Sequence, residues 1–599
     1  MDETNSLIEQ RKAKLAALRA NGIDPFQNKF TPTETCAAAR ISYAEGREVT
    51  LAGRITAHRD MGKSMFIDIT DGSGPKGTSR MQVYAQKNVL GDEQWKIFIH
   101  LDLADFIGVK GTMFTTKTGE ISVKITGFTI LAKALRPPPA KWHGLEDTEI
   151  RYRQRYLDLI GNPDVKETFL KRSAIVHEIR QFFHGRGYVE VETPVMQAIP
   201  GGAAAQPFKT FHNTLGCDFY LRIALELYHK RLLVGGIDRL FEIGKTFRNE
   251  GLSRRHNPEF TMLEAYQAFG DYETMMETVE TLITTVAQKV WETTKIKQCR
   301  DIELRTELEH LLSDFREIQK ECLPSDALRN LWSEWLDKVL AELNSCLEQI
   351  RQQNYFELAL KAIKAIEEFK TNFEGNPTSI AYLDKYTNYL NIFRLDIHKR
   401  QQKLESLSVE RVIDLTPPWP KRRYKDLVRE KIAEVTQGET PDWFALPDSE
   451  RRFIAENLRI DGLTFLNEDF EVTGAVFEKL VEPTLIQPTF VTHLPKELVP
   501  LAKVSPDDST TVEVFECCIN GQEIAPGYTE QNDPIAQRST LEHQAGGEQQ
   551  KLDEDFLVAL EHGMPPAGGI GIGIDRLCMM LLGQESIRDV ILFPQLKPK

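Results

Sequence analysis

The sequence predicts an α+β protein of several domains. A small closed barrel of five strands precedes a larger domain built on an antiparallel sheet, and an all-helical segment interrupts that larger domain. Three observations lead to this prediction. The chain has 599 residues, which is too long for one hydrophobic core. Residues 49–133 alternate apolar and polar side chains, whereas residues 298–411 repeat apolar residues at spacings of three and four. The remaining chain mixes both patterns.

The first 140 residues are expected to form an N-terminal helix followed by the barrel. Residues 2–22 have the apolar spacing of an amphipathic helix, with Leu7, Leu15 and Leu18 on one face. Five short alternating runs follow, namely VTLAGRITAH, SMFIDITD, SRMQVYAQ, DFIGVKGTMF and ISVKITGFTIL. Such a series is typical of an OB-fold barrel. A proline-stiffened connector that starts at Ala134 ends this domain near residue 140.

Composition indicates a globular protein without a membrane span. No run of about 18 apolar residues exists, and the polar N-terminus contains no signal-peptide core. The eight cysteines are scattered and none forms CxxC, which predicts neither a zinc site nor a disulfide framework and fits a reducing cytoplasm. The net charge is −14, yet residues 1–150 carry +2. Such an uneven distribution is compatible with an RNA-binding N-terminal module.

Two segments concentrate the residues that suit phosphate chemistry. FRNEGLSRRHNPEF (247–260) places three arginines, a glutamate and a histidine within nine residues, between two apolar strand-like runs. A basic loop between antiparallel strands would direct several cations to one point, as a polyphosphate requires. The alternative is a solvated hairpin tip.

The second segment lies near the C-terminus. In GMPPAGGIGIGIDRLCMMLLG (563–583) a glycine-rich strand leads into Asp575, Arg576 and then a helix. Its glycines would allow a ligand to approach the backbone closely, and its arginine could reach a phosphate. The glycine spacing fits neither the dinucleotide fingerprint nor the P-loop. The alternative is a tightly packed β–α unit.

Together these segments resemble motifs 2 and 3 of the class II aminoacyl-tRNA synthetases. SAIVHEIRQFFHGRGYVEVETPVMQ (173–197) resembles motif 1, which builds the dimer interface in that family. IPGGAAAQPF, YLRIALELYHKRLLVGG and YTEQNDP resemble the bacterial-type lysyl-tRNA synthetases of subclass IIb. The resemblance implies a catalytic domain in two parts, 141–297 with motifs 1 and 2 and 412–599 with motif 3.

The resemblance also implies an activity. A lysine–tRNA ligase activates L-lysine with ATP to lysyl-adenylate and transfers it to tRNA(Lys), with Mg²⁺ as cofactor. The family implies a cytoplasmic homodimer. One alternative stays open, a synthetase-like binding or regulatory protein with weakened catalysis whose inserted bundle recruits a partner. Another is a ligase that attaches lysine-like substrates to a protein, and the complete N-terminal barrel counts against it.

The nucleotide site follows from the resemblance position by position. Arg248 is expected to bridge the lysine carboxylate and the α-phosphate, and Arg576 to hold the γ-phosphate, so both are the expected catalytic residues. Glu516 and Glu523 are expected to hold Mg²⁺. Because they stand seven residues apart, a bend or bulge near Asn520–Gly521 is needed to bring them to one face. The expected ATP-binding residues are Arg248, Glu250, His256, Asn257, Phe260 and Arg576.

The lysine and anticodon sites are implied in the same way. Selection of lysine requires carboxylates around a buried ammonium, with Glu226 and Glu264 toward the α-amino group and Glu530 toward the ε-ammonium. Bases are expected to stack on and hydrogen-bond to the barrel. The lysine residues are Gly202, Glu226, Glu264, Tyr266, Tyr528 and Glu530, and the anticodon residues are Phe66, Gln82 and Glu120. For Phe66 a place in the barrel core is the alternative.

Three features depart from the family. Pro526 replaces an asparagine that helps to hold substrate, and Leu225 replaces the proline of an A-P-E-L-Y run. The helical segment 298–411 replaces a short connection. Because residues 301–410 carry a net charge of −6, we expect a protein contact or a spacer rather than a tRNA grip.

Overall fold

The structure is a computed structural model that describes most of the chain in two compact units. Unit 1 comprises Met1–Leu170 and Leu592–Leu596, and unit 2 comprises Lys171–Ile591 and Lys597–Lys599. The described residues are 2–74, 78–138, 145, 147–203, 205–321, 326–349, 355–374, 403–405, 407, 410–438, 441–460, 463, 468–542 and 552–598.

Unit 1 contains the barrel. Its strands are β1 (Glu48–Asp60), β2 (Ser64–Thr70), β3 (Arg80–Gln86), β4 (Phe106–Thr115) and β5 (Ile121–Ala132). They close in the order β1-β2-β3-β5-β4, with only the β3–β5 pair parallel. Alternate residues of each strand, such as Ile67 and Val83, fill the interior. The OB-fold prediction is confirmed.

The N-terminal helix forms, and its predicted apolar face holds in part: Leu15 is half-buried and Leu18 packs against the barrel core, whereas Leu7 does not face inward. Leu7 is 41% exposed, while Arg11 is the buried side chain. Arg11 Nη1 donates to the carbonyls of Ala134 and Arg136, at 3.0 Å each, and these bonds compensate its burial. The helices that lie in unit 1 are Asp2–Ala20, Cys36–Ile41, Lys87–Phe98, Thr148–Arg153 and Arg155–Gly161, and Pro163–Gly185 runs on into unit 2.

Unit 2 is built on an eight-stranded sheet in the order β14-β15-β16-β17-β18-β11-β10-β6. The five inner pairs from β15 to β10 are all antiparallel, and the two edge pairs are parallel. The strands are β6 (Val189–Glu190), β7 (Met196–Gln197), β8 (Lys209–His212), β9 (Cys217–Leu221), β10 (Arg239–Phe247), β11 (Glu259–Ala268), β12 (Lys295–Lys297), β13 (Val412–Asp414), β14 (Lys421–Arg423), β15 (Thr489–Thr492), β16 (Val514–Cys518), β17 (Glu523–Thr529) and β18 (Ala567–Gly573).

One face of this sheet is covered and the other carries the candidate site. Leu263 and Ala265 of β11 belong to the core that includes helix Tyr272–Trp291, so Glu264 and Tyr266 point to the opposite face. The antiparallel catalytic sheet predicted from the sequence is therefore present. The remaining described α-helices of unit 2 are Glu226–Val234, Asp301–Glu321, Asp326–Gln349, Tyr355–Glu374, Tyr424–Val435, Asp448–Asn457, Asp469–Val476, Pro534–Glu542, Glu554–Glu561, Ile574–Leu582 and Ile587–Val590.

The segment 298–411 contains three of these helices. They share a core of their own that includes Leu308, Leu343 and Ile366. The segment leaves and re-enters at one point, because β12 pairs antiparallel with β13. A further helix predicted at 380–407 lies mostly outside the described residues. The bounds of this domain stay a prediction.

Candidate functional site

The basic loop predicted from the sequence joins β10 to β11. The two strands pair from Arg239–Gln267 to Phe247–Glu259, and the backbone N–H of Arg248 donates to Pro258 O at 2.9 Å. The Arg248 guanidinium lies 5.3 Å from the centre of the Phe260 ring. Burial lowers the pKa of Arg248, although an arginine remains charged at neutral pH.

A cavity opens on this loop and brings most of the expected ATP residues together. Residues of the loop, of β17 and of the β18–helix junction line it, so three separate parts of the sequence meet there. Glu516 does not belong to this lining, whereas Glu523 does. The residues that line it include Arg248, Glu250, His256, Asn257, Phe260, Glu523, Pro526 and Arg576.

His256 and Arg576 contact each other inside the cavity. Arg576 Nη2 lies 3.1 Å from His256 Nε2, and Ser253 Oγ lies 2.8 Å from His256 Nδ1. Burial, with a further effect of the Arg576 charge, lowers the pKa of His256. The imidazole is therefore neutral at pH 7, and Arg576 supplies the positive charge.

The neighbour of Arg576 anchors the start of helix Ile574–Leu582. The Asp575 carboxylate accepts from the backbone N–H of Thr261 at 2.7 Å and pairs with Arg172 at 2.7 Å. Arg576 itself donates to the Glu523 carbonyl at 3.2 Å. The arginine is therefore held against both β11 and β17 before any ligand binds.

Glu516 and Glu523 approach each other through a tight turn. Asn520 and Gly521 both have positive φ, +56° and +69°, and the β16–β17 register shifts between Cys517 and Cys518. The structure thus contains the bend that the odd spacing of the two glutamates requires. Cys518, on the same face as Glu516, pairs with Glu523.

A third carboxylate lies beside these two. Glu482 accepts from the Glu523 backbone N–H at 2.7 Å. Burial, followed by the charges of Glu523 and Glu482, raises the pKa of Glu516 well above its ordinary value. Within the described residues no group of three or more His, Cys, Asp or Glu side chains is arranged as a metal site by itself. Two or three carboxylates completed by phosphate and water would suit Mg²⁺.

The six expected lysine residues form a second cluster, here called the acidic pocket. Glu226, Glu264 and Glu530 are at most 6% exposed, and the Tyr266 hydroxyl donates to Glu264 Oε2 at 3.0 Å. Burial raises the pKa of Glu264 and raises that of Glu530 to about 8. Among the described residues, no donor hydrogen-bonds to Glu530 Oε1. The residues of the acidic pocket are Gly202, Glu226, Glu264, Tyr266, Tyr528 and Glu530.

Lys230 is a member of this pocket that the sequence reasoning missed. Its ammonium is fully buried, 2.6 Å from Glu226 Oε1 and 2.5 Å from Glu530 Oε2, and 5.7 Å from the centre of the Tyr528 ring. These carboxylates raise the pKa of Lys230 against the effect of its burial. Its position four residues after Glu226 on one helix was the available signal.

Two glycines make room for the acidic pocket. Gly202 has φ +86°, and a β-carbon there would lie 3.0 Å from Ala224 Cβ and 3.3 Å from Glu226 Cβ. A β-carbon on Gly569 would overlap the Glu530 carboxylate and the Tyr266 ring. The glycines of β18 therefore accommodate protein side chains, in addition to any ligand.

The two positions at which a family residue is replaced, Leu225 and Pro526, both lie at this site. Leu225 precedes helix Glu226–Val234, and its backbone N–H donates to Glu264 Oε1 at 3.0 Å, a bond that a proline could not make. Pro526 lines the cavity. A β-carbon on Gly571 would lie 3.9 Å from Pro526 Cγ and 4.0 Å from Glu264 Cγ, so Gly571 marks the border between cavity and pocket.

The expected anticodon residues share the outer face of the barrel. Phe66 and Gln82 alternate with core residues, so the core alternative for Phe66 is wrong, and its ring stacks on Tyr84 at 4.6 Å between centroids. Gln82 is only 7% exposed and accepts from Ser122 Oγ at 2.8 Å. Glu120 Oε1 accepts from Arg40 and Arg80, at 3.1 and 2.9 Å.

Comparison with known proteins agrees with this arrangement. A family model described as class II tRNA synthetases (D, K and N) matches residues 147–597, and one described as an OB-fold nucleic acid binding domain matches residues 49–131. A lysine–tRNA ligase from Pelotomaculum thermopropionicum is 40% identical over 608 residues, covering 100% of this chain and 96% of the relative. One from Bacillus subtilis is 37% identical over 618 residues, covering 100% of this chain and 98% of the relative.

Proposed function

We infer that the chain, which belongs to the class II tRNA synthetases for aspartate, lysine and asparagine, is a lysine–tRNA ligase. One structural observation supports lysine as the amino acid. Three buried carboxylates, Glu226, Glu264 and Glu530, belong to the acidic pocket, and Glu264 lies at its border with the cavity that Arg248 and Arg576 line. An aspartate pocket would require an excess of cations at that place, whereas here three carboxylates outnumber the one cation, Lys230. The comparisons give no support to a binding protein with weakened catalysis.

We propose that adenylate formation depends on positioning and charge. The lysine carboxylate attacks the α-phosphorus of ATP, and pyrophosphate leaves, so an anion must approach an anion. Arg248 is placed to bridge the carboxylate and the α-phosphate, and Arg576 to hold the γ-phosphate. Phe260 offers a ring for adenine and Glu250 an acceptor for its amino group, while His256 and Asn257 lie beside the phosphates.

We propose Glu523 and Glu516 as the residues that hold Mg²⁺. The raised pKa of Glu516, caused by burial and by its carboxylate neighbours, indicates a site that a cation would stabilise. Glu523 lines the nucleotide cavity, so it is the carboxylate in reach of ATP phosphates. The ion would neutralise phosphate charge.

For lysine recognition we propose that Glu226 and Glu264, with the backbone at Gly202, face the α-amino group. Glu530 then takes the ε-ammonium, helped by Tyr266, and Tyr528 packs on the aliphatic stem. The buried Glu530 Oε1, without a hydrogen bond from the described residues, supports this role. Lys230 shares Glu226 and Glu530 with the substrate.

We propose that the barrel binds the anticodon of tRNA(Lys). The stacked pair Phe66–Tyr84, extended by Phe114 at 5.9 Å from Tyr84, offers aromatic rings to unstacked bases. Gln82 and Glu120 remain the proposed readers of base edges. Arg40 and Arg80 both bind Glu120 Oε1 and so fix the orientation of this carboxylate.

We also propose a homodimer in the cytoplasm. The motif 1 region exposes Val189, Val195 and Met196. Phe211 of β8 and Leu215 of the β8–β9 turn follow, and all five are at least 41% exposed. No described helix is long and apolar enough to span a membrane. Sedimentation should give twice the mass of one chain.

The helices of the inserted segment are proposed to serve as a spacer or a protein contact.

Lysine-dependent exchange of pyrophosphate into ATP tests the activity directly. We expect exchange with lysine and only background with the other amino acids, aspartate and asparagine included. Charging of tRNA(Lys) then tests the second step. Absence of lysine-dependent exchange in the folded protein would refute the ligase assignment.

A further inference from the structure

A second cavity adjoins the nucleotide cavity at the root of the inserted segment. Arg255 lines both cavities. The turn at Asn520–Gly521 and Gln522 line the second one, and Glu523, the next residue, lines the first. Any ligand that reaches from one to the other therefore passes Arg255.

The wall of this second cavity is held by a chain of hydrogen bonds. Gln298, only 4% exposed, donates from Nε2 to Met580 O at 2.9 Å, and its Oε1 accepts from Asn520 Nδ2 at 3.1 Å. Asn520 Oδ1 in turn accepts from Arg411 Nη1 at 3.2 Å. On the opposite side, the Arg254 carbonyl accepts from the Ile587 N–H at 2.8 Å. Arg411 and the backbone of Arg254 are thus fixed at the cavity.

The charge of the cavity is opposite to that of the chain. Four cations line it, Arg254, Arg255, Lys403 and Arg411, against one carboxylate, Glu585. The whole chain carries −14 and residues 301–410 carry −6. Such a local excess of positive charge favours an anionic ligand, and arginine suits phosphate in particular.

We propose that this cavity binds phosphate groups of the RNA substrate next to its reacting end. The proposal rests on the ligase function, which requires a terminal ribose of tRNA to reach the adenylate in the neighbouring cavity. Lys403 and Arg411 belong to the inserted segment, so its root takes part in RNA binding although the segment as a whole is acidic. Free pyrophosphate has the same chemistry and is the competing source of the phosphate.

The test compares two double variants of the full-length protein. Lys403→Gln with Arg411→Gln removes two cations from the cavity. Lys364→Gln with Arg316→Gln removes the same charge from exposed positions on the inserted helices, outside the cavity lining. Each protein is assayed for the KM of tRNA(Lys) in charging and for the KM of pyrophosphate in exchange, over a range of salt concentrations.

We expect the cavity variant to raise the KM for tRNA about tenfold. The slope of log KM against the logarithm of the salt concentration should fall by about one for each cation removed. Exchange should stay at the wild-type level, and the control variant should match the wild type in both assays. A raised KM for pyrophosphate with unchanged tRNA kinetics would assign the cavity to pyrophosphate and overturn the proposal. Wild-type kinetics in both assays would also overturn it.

Misfolding of the double variant and failure of the ligase function each have a readout of their own. Should the double variant misfold, Lys403→Gln alone gives the answer, because Lys403 is exposed and its replacement should not unfold the protein. Its tRNA KM should rise severalfold, and an unchanged value would contradict the proposal. Failure of the ligase function itself would be visible in the wild type, as a lack of lysine-dependent exchange.

Discussion

At the scale of single residues, the site balances buried charges of both signs. The acidic pocket holds three carboxylates and one ammonium out of water, an arrangement that is costly unless each charge has a partner. Lys230 is the partner that the chain supplies to Glu226 and Glu530. The nucleotide cavity also holds both signs, since Arg248, Arg255 and Arg576 line it together with Glu250, Glu523 and Asp575.

Replacement of Arg248 should remove adenylate formation. Its guanidinium lines the nucleotide cavity and is placed to bridge the lysine carboxylate and the α-phosphate, so Arg248→Ala should lower the exchange rate by about 10²–10³ or more. Arg248→Lys is the matched control, because it keeps the charge and loses the planar fork. We expect it to recover only part of the rate. Circular dichroism checks the fold, and exchange near the wild-type rate in Arg248→Ala would contradict the role.

Lys230 should contribute to stability as well as to binding. Lys230→Met leaves two carboxylates buried without their cation, and breaking a buried pair costs about 3–5 kcal/mol. Denaturant unfolding measures this loss. The double variant Lys230→Met with Glu530→Gln removes one of the stranded charges and should regain part of the stability. If both variants unfold like the wild type, Lys230 is not the partner of these carboxylates.

The affinity for lysine should rise with pH. Because burial raises the pKa of Glu530 to about 8 against the lowering effect of Lys230, the ionised fraction of this carboxyl grows as the pH rises toward 8. The ε-ammonium of lysine, with a pKa of about 10.4, keeps its proton over that range. The value of kcat/KM for lysine should therefore climb by up to about tenfold per pH unit below pH 8 and then level off.

Glu530→Gln is the control for this pH dependence. It should lose the rise with pH and increase the KM for lysine about 10- to 100-fold, because a charged hydrogen bond is replaced by a neutral one. The KM for ATP should stay at the wild-type value. An equal increase for ATP and lysine would mean that Glu530 does not bind the ε-ammonium.

At the scale of elements, three neighbouring strands contribute residues to both the nucleotide cavity and the acidic pocket. β11 carries Phe260, Glu264 and Tyr266, and β17 carries Glu523 and Tyr528, with β18 between them. Such a pair of flanking strands can share one site only if the middle strand has small side chains. The glycines of β18 meet this condition.

Gly569→Ala tests that condition. The added β-carbon would overlap the Glu530 carboxylate and the Tyr266 ring, so we expect a loss of about 1–3 kcal/mol of stability and a higher KM for lysine. Gly563→Ala is a useful comparison. It has open space around it, although its φ of +96° adds backbone strain. A Gly569→Ala protein with wild-type stability and lysine kinetics would show that the strand is not packed as described.

The elements and most of the site follow from the sequence, for a physical reason. The strand alternation in the barrel and the long motifs 2 and 3 depend on residues that are close in the sequence, so they can be recognised without the structure. Contacts between residues that are distant in the sequence cannot be recognised in this way. Leu225 binds Glu264 through its backbone N–H, and Glu120 is engaged by Arg40, 80 residues away in the chain. Neither contact has a periodic or spaced signature, so the sequence alone does not reveal it.

The N-terminal helix illustrates the same limit. Its apolar spacing predicts that Leu7 faces inward, yet Arg11 is the buried residue. Two carbonyl groups of the chain near residue 135 accept from its guanidinium, and a satisfied guanidinium with its apolar stem packs well. Patterns of hydrophobicity do not register such compensation.

At the scale of the whole molecule, the inserted segment belongs to unit 2 and is proposed to form a domain of its own. Its described helices have their own core, and its ends meet where β12 pairs with β13. A segment with adjacent ends can be removed without stretching the chain on either side. The catalytic sheet is formed entirely by residues outside 298–411.

Deletion of residues 300–409, with a short glycine–serine linker in their place, should therefore leave lysine activation nearly intact. We expect exchange rates within about twofold of the wild type, because closing a short loop between adjacent strands costs little. Charging of tRNA should weaken more than activation does, since Lys403 is lost while Arg411 remains. A linked variant that is folded but inactive in exchange would show that the inserted helices support the catalytic sheet, and the spacer role would then be wrong.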